Sequence, residues 1–252
     1  MLTRGAALLF ISLTLSASLM AESIEGTVVV RKRLTKRRVT ASVPIYERGP
    51  AVELDADADA DPIAFERSRV AVYVEGPLTK APADQPPAVM EQLNRRFSQE
   101  ALVIQAGSKV SFPNHDPIFH NVFSLSGVKT FDLGNYPKGD TRVVTFPEPG
   151  IVYVNCHLHS NMTATIVVTP NKWFTKADRD GHFVLQDVPP GKYTVVAWHK
   201  TAGYFRQQVQ VGAGGNPSIE FLIPLDENGH KIEPHKLTAA SLESKPLESQ
   251  KR

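Results

Sequence analysis

Three side chains that can bind a soft metal ion lie within one segment of seven residues. Cys156 offers a thiolate, His159 an imidazole and Met162 a thioether, each three positions from the next. Only a tight loop at the end of the preceding apolar strand can bring the three around one point. Cys156 is the single cysteine of the chain, so it is a metal ligand, an inert buried thiol or half of an intermolecular disulfide.

A fourth candidate ligand, His120, lies far upstream in the segment 119–123. The loops at one end of a β-sandwich cluster together, so His120 can meet the cysteine loop despite the sequence separation. Two imidazoles and one thiolate in a plane, with a long axial thioether, form a type 1 copper site for one-electron transfer. Structural zinc usually takes four cysteine or histidine ligands and has no use for Met162. The donor set therefore predicts copper.

The elements that must position these ligands are short β-strands. Between residues 97 and 169, strand-like segments alternate with turn signals at Gly107, at 134–139 and at 147–150. This spacing is typical of a β-sandwich or barrel. The predicted strands of this region are 102–104, 109–112, 121–123, 142–146, 151–154 and 165–168.

A second β unit begins near Thr175, with turns at 178–181 and 189–191 and alternating apolar residues after each turn. Further strands are predicted at 205–211 and 219–225. Upstream of the copper ligands, the strands 24–30 and 69–75 are separated by an acidic loop, 55–62, and followed by a proline-rich connection, 77–87. The sequence leaves open whether this upstream segment is a separate module.

The chain ends and the overall charge bear on location and partners. Residues 1–21 have the order of a secretory signal peptide, a positive charge followed by a short apolar run and small residues. We therefore expect a soluble periplasmic protein with no membrane insertion after signal removal. The net charge of +2 gives no reason to expect a nucleic-acid partner. The charged tail, 226–252, is expected to be disordered.

The pattern Cys-x-x-His-x-x-Met, with His-Asn-Val upstream at 120–122, resembles the cupredoxins and is most similar to the amicyanin type. The segments 110–116 and 147–150 also resemble that family. The resemblance implies one type 1 copper ion held by His120, Cys156, His159 and Met162. It favours His120 over His115, because only His120 is followed by asparagine.

The resemblance also implies roles for two residues beside the ligands, Asn121 and His157. Cupredoxins often place a small hydroxyl residue after the cysteine, where it bonds to the asparagine that follows the first histidine. Here that position is His157, which is expected to point away from the metal. The backbone near Asn121 is expected to donate a hydrogen bond to the Cys156 sulfur, a contact that tunes the reduction potential.

The run from Asp180 to His199 resembles a carboxypeptidase-regulatory-like (transthyretin-like) domain, which is usually non-catalytic. The whole arrangement resembles exported proteins labelled methylamine-utilisation proteins. The predicted fold class is all-β, a Greek-key cupredoxin β-sandwich plus a second small β-sandwich. The predicted divisions are a signal peptide (1–21), an N-terminal β segment (22–96), a cupredoxin domain (97–170), a regulatory-like domain (171–225) and a disordered tail (226–252).

The function expected from this organisation is single-electron transfer, with an exported cytochrome or dehydrogenase as the redox partner. No base, nucleophile or oxyanion arrangement surrounds the cysteine motif, so we do not expect an enzyme. Two alternatives stay open. One is copper buffering or delivery, and the other is a partner-binding module in which copper is an accessory. His199 is expected to be a surface or packing residue.

Overall fold

A computed structural model describes residues 22–31, 33–34, 61–212 and 217–223 of the chain. The predicted signal peptide, the tail that is predicted to be disordered and nearly all of the predicted acidic loop lie outside the described residues. Within them the secondary structure is almost entirely β, which confirms the predicted all-β class. No helix in the described ranges is long and apolar enough to cross a membrane.

One short helix, α1, and seventeen strands make up the described chain. In order they are β1 (Glu22–Val30), α1 (Pro62–Arg67), β2 (Ala71–Glu75), β3 (Ala88–Val89), β4 (Gln92–Leu93), β5 (Arg96–Phe97), β6 (Ala101–Gln105), β7 (Lys109–Pro113), β8 (His120–Ser126), β9 (Lys129–Tyr136), β10 (Thr141–Thr145), β11 (Gly150–Asn155), β12 (Thr163–Thr169), β13 (Phe174–Lys176), β14 (His182–Val188), β15 (Gly191–His199), β16 (Gly203–Val211) and β17 (Ser218–Ile223).

Four sheets are stacked as two sandwiches. In the first sandwich, the sheet β10-β7-β3 and the five-stranded sheet β6-β12-β11-β8-β9 enclose one apolar core. In the second, the sheets β13-β2-β15-β16 and β14-β1-β17 enclose another. A third apolar cluster joins the five-stranded sheet to the four-stranded sheet. The described residues therefore form four β layers with apolar side chains between each neighbouring pair, and a fifth, two-stranded sheet is the hairpin β4-β5.

The two inner sheets owe their position to strands that are apolar on both faces. In β12, Ile166 and Val168 belong to the first core, while Val167 between them belongs to the joining cluster. In β15, Ala197 belongs to the second core and Trp198 to the joining cluster. Successive side chains of a strand point to opposite faces, so an unbroken apolar run requires a packed layer on each side.

The N-terminal segment supplies strands to both sandwiches. Strand β1 pairs with β14 and, in parallel, with β17. Strand β2 pairs with β13 and β15, whereas β3 pairs in parallel with β7 of the first sandwich. The described part of this segment is therefore not a module apart, which answers the question that the sequence left open.

Five described strands, β3, β4, β5, β9 and β13, have no counterpart among the strands predicted from the sequence. Residues 134–136, where the sequence predicts the start of a turn, are the end of β9. Gly134 and Asp132 weaken the strand signal, but β9 is an edge strand held by its pairing with β8. Helix α1 begins at the last residue of the predicted acidic loop, Pro62, and Asp61 caps its first turn. The Asp61 carboxylate accepts hydrogen bonds from the N–H groups of Ile63 (3.1 Å) and Ala64 (2.9 Å).

Candidate metal centre

The histidine and the cysteine lie at the same end of one sheet. His120 is the first residue of β8, and Cys156 follows the last residue of β11. These strands are neighbours, with Asn155 paired to Phe123. The pairing therefore brings two residues that are distant in sequence to adjacent strand ends.

The loop after Cys156 is closed by its own backbone. The N–H of Cys156 donates to the carbonyl of Met162 (3.2 Å), and the N–H of Met162 donates to the carbonyl of His159 (3.0 Å). These bonds turn the chain back before β12 begins. The spacing of three residues thus serves a compact loop, as the sequence predicts.

Three of the four predicted ligands converge on one point. The Cys156 sulfur lies 3.9 Å from Nδ1 of His120 and 3.7 Å from Nδ1 of His159. All three candidate ligand atoms lie within 4.8 Å of one another. Two donor atoms about 2.1 and 2.3 Å from one ion, at an angle near 120°, would lie about 3.8 Å apart. The two sulfur–nitrogen separations therefore fit a single ion bound by the Cys156 sulfur and one nitrogen of each histidine.

The burial of the ligands is graded from the core to the surface. His120, Cys156 and Met162 are buried, whereas His159 is half-buried. Met162 and Cys156 belong to the same apolar core cluster. Met162 is thus buried in the same core as Cys156, and its role as axial ligand stays a prediction. His159 is the predicted ligand nearest to solvent.

Hydrogen bonds favour the thiolate form of the cysteine. Burial raises the pKa of Cys156, but contacts with His120 and with the N–H groups of Asn121, Leu158 and His159 lower it more. The net pKa lies below the ordinary value of 9.0. The N–H of Asn121 is 3.5 Å from the sulfur, the contact that the sequence analysis anticipates. Since thiolate is the form that binds metal, the site is prepared for a cation.

The two imidazoles have different surroundings. Burial, the charge of His120 and the charge of Arg95 all lower the pKa of His159, which favours the neutral ring that a metal requires. Burial also lowers the pKa of His120, but hydrogen bonds with Cys156 and Asp116 outweigh it and leave the pKa raised. The rings of His120 and His159 meet edge to face, with centroids 4.8 Å apart.

Asp116 is a site residue that the sequence analysis missed. Its Oδ2 lies 2.7 Å from Nε2 of His120, the nitrogen facing away from Cys156. Burial raises the pKa of Asp116, but hydrogen bonds from Arg95, His120 and Asn94 outweigh it and lower the pKa. The available signal was an acidic residue four positions before the ligand histidine. That spacing alone does not show whether the carboxylate faces the ring.

Asn121 and His157 adjoin the ligands as expected, but they contact each other in an unexpected way. The side-chain oxygen of Asn121 faces the backbone N–H of His157 at 3.5 Å. The side-chain nitrogen of Asn121 donates to Asp132 Oδ1 (2.6 Å) and to the carbonyl of Gly134 (3.1 Å). The exposed His157 ring stacks on Phe123, with centroids 3.7 Å apart, and its Nε2 is 3.5 Å from Asp132.

The remaining histidines with a predicted role lie outside the cluster. His115 is exposed, and its Nε2 is 3.6 Å from Glu91, so it does not join the group formed by His120. His199 is fully buried beside Glu66, 3.0 Å from its carboxylate. It is therefore a packing residue of the second sandwich, one of the two roles expected for it.

Comparison with known proteins gives partial likenesses. No protein-family model matches the chain, and no curated protein matches it. Among solved structures, a copper-containing nitrite reductase from Thermus scotoductus SA-01 aligns at 22% identity, with a TM-score of 0.34, over 35% of this chain and 24% of that one. The chain thus spans about a quarter of that enzyme.

Variants of amicyanin align over more of their own length. A Cu(I) form of one mutant aligns at 20% identity with a TM-score of 0.31, and a reduced mutant at 22% with 0.32. Each alignment covers 38% of this chain and 97% of the other. At such identities and scores, membership of the cupredoxin family stays a prediction from the sequence motif.

Proposed function

We propose that this chain is an exported, periplasmic electron carrier that holds one type 1 copper ion and passes single electrons between redox partners. His120, Cys156, His159 and Met162 would be the copper ligands. The observation that carries the proposal is the position of the Cys156 sulfur, 3.9 and 3.7 Å from Nδ1 of two histidines. An exported cytochrome or dehydrogenase would be the partner.

The chemistry of the donor set supports copper. A bound copper ion would supply a one-electron couple between Cu(II) and Cu(I). Sulfur ligands suit Cu(I), and imidazoles suit both oxidation states. The chain holds His120 and Cys156 at the ends of paired strands, so these ligands need move little when the charge changes. Half-buried His159 would form the route by which electrons reach a docked partner.

The described residues support a carrier in preference to an enzyme. A redox enzyme usually needs a second centre at which substrate binds. Within the described ranges, the only group of three or more histidine, cysteine and acidic side chains spaced to hold a metal is His120, Cys156 and His159. Asp116 approaches the same group through His120 and belongs to this centre.

The proposal is tested by loading the mature chain with Cu(II) and recording visible absorption and electron paramagnetic resonance spectra. We expect an intense thiolate-to-copper band and a narrow copper hyperfine splitting, both absent from Cys156→Ser. His120→Gln should lose both signals as well. His115→Gln is the matched control and should keep both, because the exposed His115 ring faces Glu91.

Two results would contradict the proposal. A protein that binds copper without the thiolate band would point to copper buffering or delivery. Loss of the band in His115→Gln, with His120→Gln unaffected, would show that the ligand set is wrong.

A further inference from the structure

The carboxylate of Asp116 is enclosed by three hydrogen-bond donors. One oxygen accepts from the N–H of Asn94 (2.7 Å), and the other accepts from the N–H of Arg95 (2.8 Å) and faces Nε2 of His120 (2.7 Å). The side chain is only 6% exposed, and the His120 ring is fully buried. A carboxylate that only accepts hydrogen bonds fits these surroundings in its ionised form.

Two separate parts of the chain hold this carboxylate in place. The first is the tip of the β4–β5 hairpin, where Asn94 and Arg95 have φ angles of 54° and 56°. Positive φ at both central residues is the geometry of a tight two-residue hairpin turn. It is uncommon for residues other than glycine, and here it directs both N–H groups at Asp116.

The second support is Asn114, which is fully buried. Its side-chain oxygen accepts from the N–H of Asp116 (2.9 Å), and its amide nitrogen donates to the carbonyls of Ile118 (2.9 Å) and Tyr136 (3.1 Å). Asn114 thereby ties the loop between β7 and β8 to strand β9. Asp116 is thus fixed from both sides before any ion binds.

We propose that Asp116 is a positioning residue for the copper centre: it holds the His120 ring with Nδ1 towards Cys156 and favours Cu(II) over Cu(I). This inference rests on the proposed copper function. A carboxylate on the outer nitrogen of a ligand histidine fixes the orientation and tautomer of the ring and makes the ligating nitrogen more basic. Its negative charge also stabilises the more highly charged ion.

Arg95 partly opposes this charge at another ligand. Its side chain lowers the pKa of His159, while its backbone N–H anchors Asp116. Exchanging the Arg95 side chain would therefore leave the anchor of Asp116 in place. Asparagine at position 116 removes the charge and leaves one oxygen for the donors that two carboxylate oxygens face here, so the test must use Asp116 itself.

The test compares copper-loaded wild type with Asp116→Asn and with the control Asp140→Asn. Asp140 is a half-exposed carboxylate of the first sandwich whose partner is Arg142 at 3.3 Å, so the control removes an equal charge. Cu(II) affinity, measured by chelator competition, should fall about 10- to 100-fold in Asp116→Asn. Cu(I) affinity should fall less.

The midpoint potential should therefore rise in Asp116→Asn. Each tenfold change in the ratio of the two affinities corresponds to about 59 mV for a one-electron couple. The hyperfine splitting should also change, because an uncharged amide replaces the carboxylate that faces the ring of His120. Asp140→Asn should match the wild type in potential, spectrum and both affinities.

The possible outcomes separate the inference from the proposed function. An Asp116→Asn protein with the wild-type potential and Cu(II) affinity would overturn the inference alone. A wild type without the thiolate band would overturn the copper function, and the inference with it. If circular dichroism shows that Asp116→Asn does not fold, Asp116→Ser takes its place with the same expected rise, and an unchanged potential there overturns the inference.

Discussion

Trp198 offers a direct test of whether the two sandwiches behave as one body. It lies in β15, is 2% exposed, and belongs to the apolar cluster between the five-stranded and four-stranded sheets. Its ring is 6.4 Å from that of Tyr204 on the neighbouring strand. Trp198→Ala would leave a cavity in this layer and leave the two enclosed cores unchanged.

The expected loss follows from the burial of the side chain. Replacing a fully buried tryptophan by alanine costs about 3–5 kcal/mol of unfolding free energy. In a chain of this size each kcal/mol lowers Tm by about 2–4 °C, so Tm should fall by about 6–20 °C. The chain's other tryptophan, Trp173, supplies the matched control. Trp173 is half-buried at the edge of the second core, and Trp173→Ala should cost less.

Two measurements on the copper-free protein report on the coupling. Calorimetry shows whether wild type melts in one transition, with equal calorimetric and van't Hoff enthalpies. Reaction of the buried Cys156 thiol with a chromogenic reagent during heating reports on the first sandwich alone. We expect one transition in the wild type. In Trp198→Ala, Cys156 should become reactive at a lower temperature than in the wild type, although Trp198 belongs to the second sandwich.

Independent sandwiches would give a different pattern. Two wild-type transitions, or a thiol that becomes reactive at the same temperature in wild type and Trp198→Ala, would refute the reasoning. A Tm loss in Trp198→Ala no larger than that in Trp173→Ala would also refute it, because the joining cluster would then contribute little.

Two further predictions concern ionisation in the copper-free protein. The Cys156 thiol should titrate with a pKa below the ordinary value of 9.0. The measurement is thiolate absorption in the ultraviolet, with Cys156→Ser as the blank. A midpoint at or above pH 9.0 would contradict the contacts described for this thiol. Since the folded-state pKa lies below that of the unfolded chain, ionisation stabilises the fold fully above about pH 9, and this contribution is lost as the pH falls through the folded-state pKa. Arg95→Gln should raise the pKa of His159 by removing a nearby positive charge, as measured by NMR titration of the imidazole. Arg142→Gln is the control, and an unchanged His159 pKa in Arg95→Gln would show that the charge does not reach the ring.

The site could be anticipated from sequence as far as its residues are local. Cys156, His159 and Met162 lie in one loop, and their spacing alone indicates a compact turn. Choosing His120 over His115 needed the family resemblance, because both lie close to the start of β8. The structure places His120, and not His115, beside Cys156.

The surroundings of Asp116 could not be predicted from the sequence. Its neighbours Asn94 and Arg95 are more than twenty positions away, and they reach it only because a hairpin turn points its N–H groups at the carboxylate. Nothing in the residues around Asp116 specifies that approach. A single sequence shows which side chains could bind one another, but it does not show which ones meet.

For the fold too, the sequence predicted the local features, and only the tertiary structure decided how distant strands pack. Alternating apolar residues and turn signals predicted most strands and the all-β class, because the two-residue alternation of a strand appears in neighbouring residues of the sequence. They did not predict β9, an edge strand held by its pairing with β8, or the short strands β3, β4, β5 and β13. Only the tertiary structure decided that β1 and β2 complete the second sandwich and that four layers stack through Val167 and Trp198. Those outcomes depend on which strand faces meet, and burial and pairing between distant residues decide that.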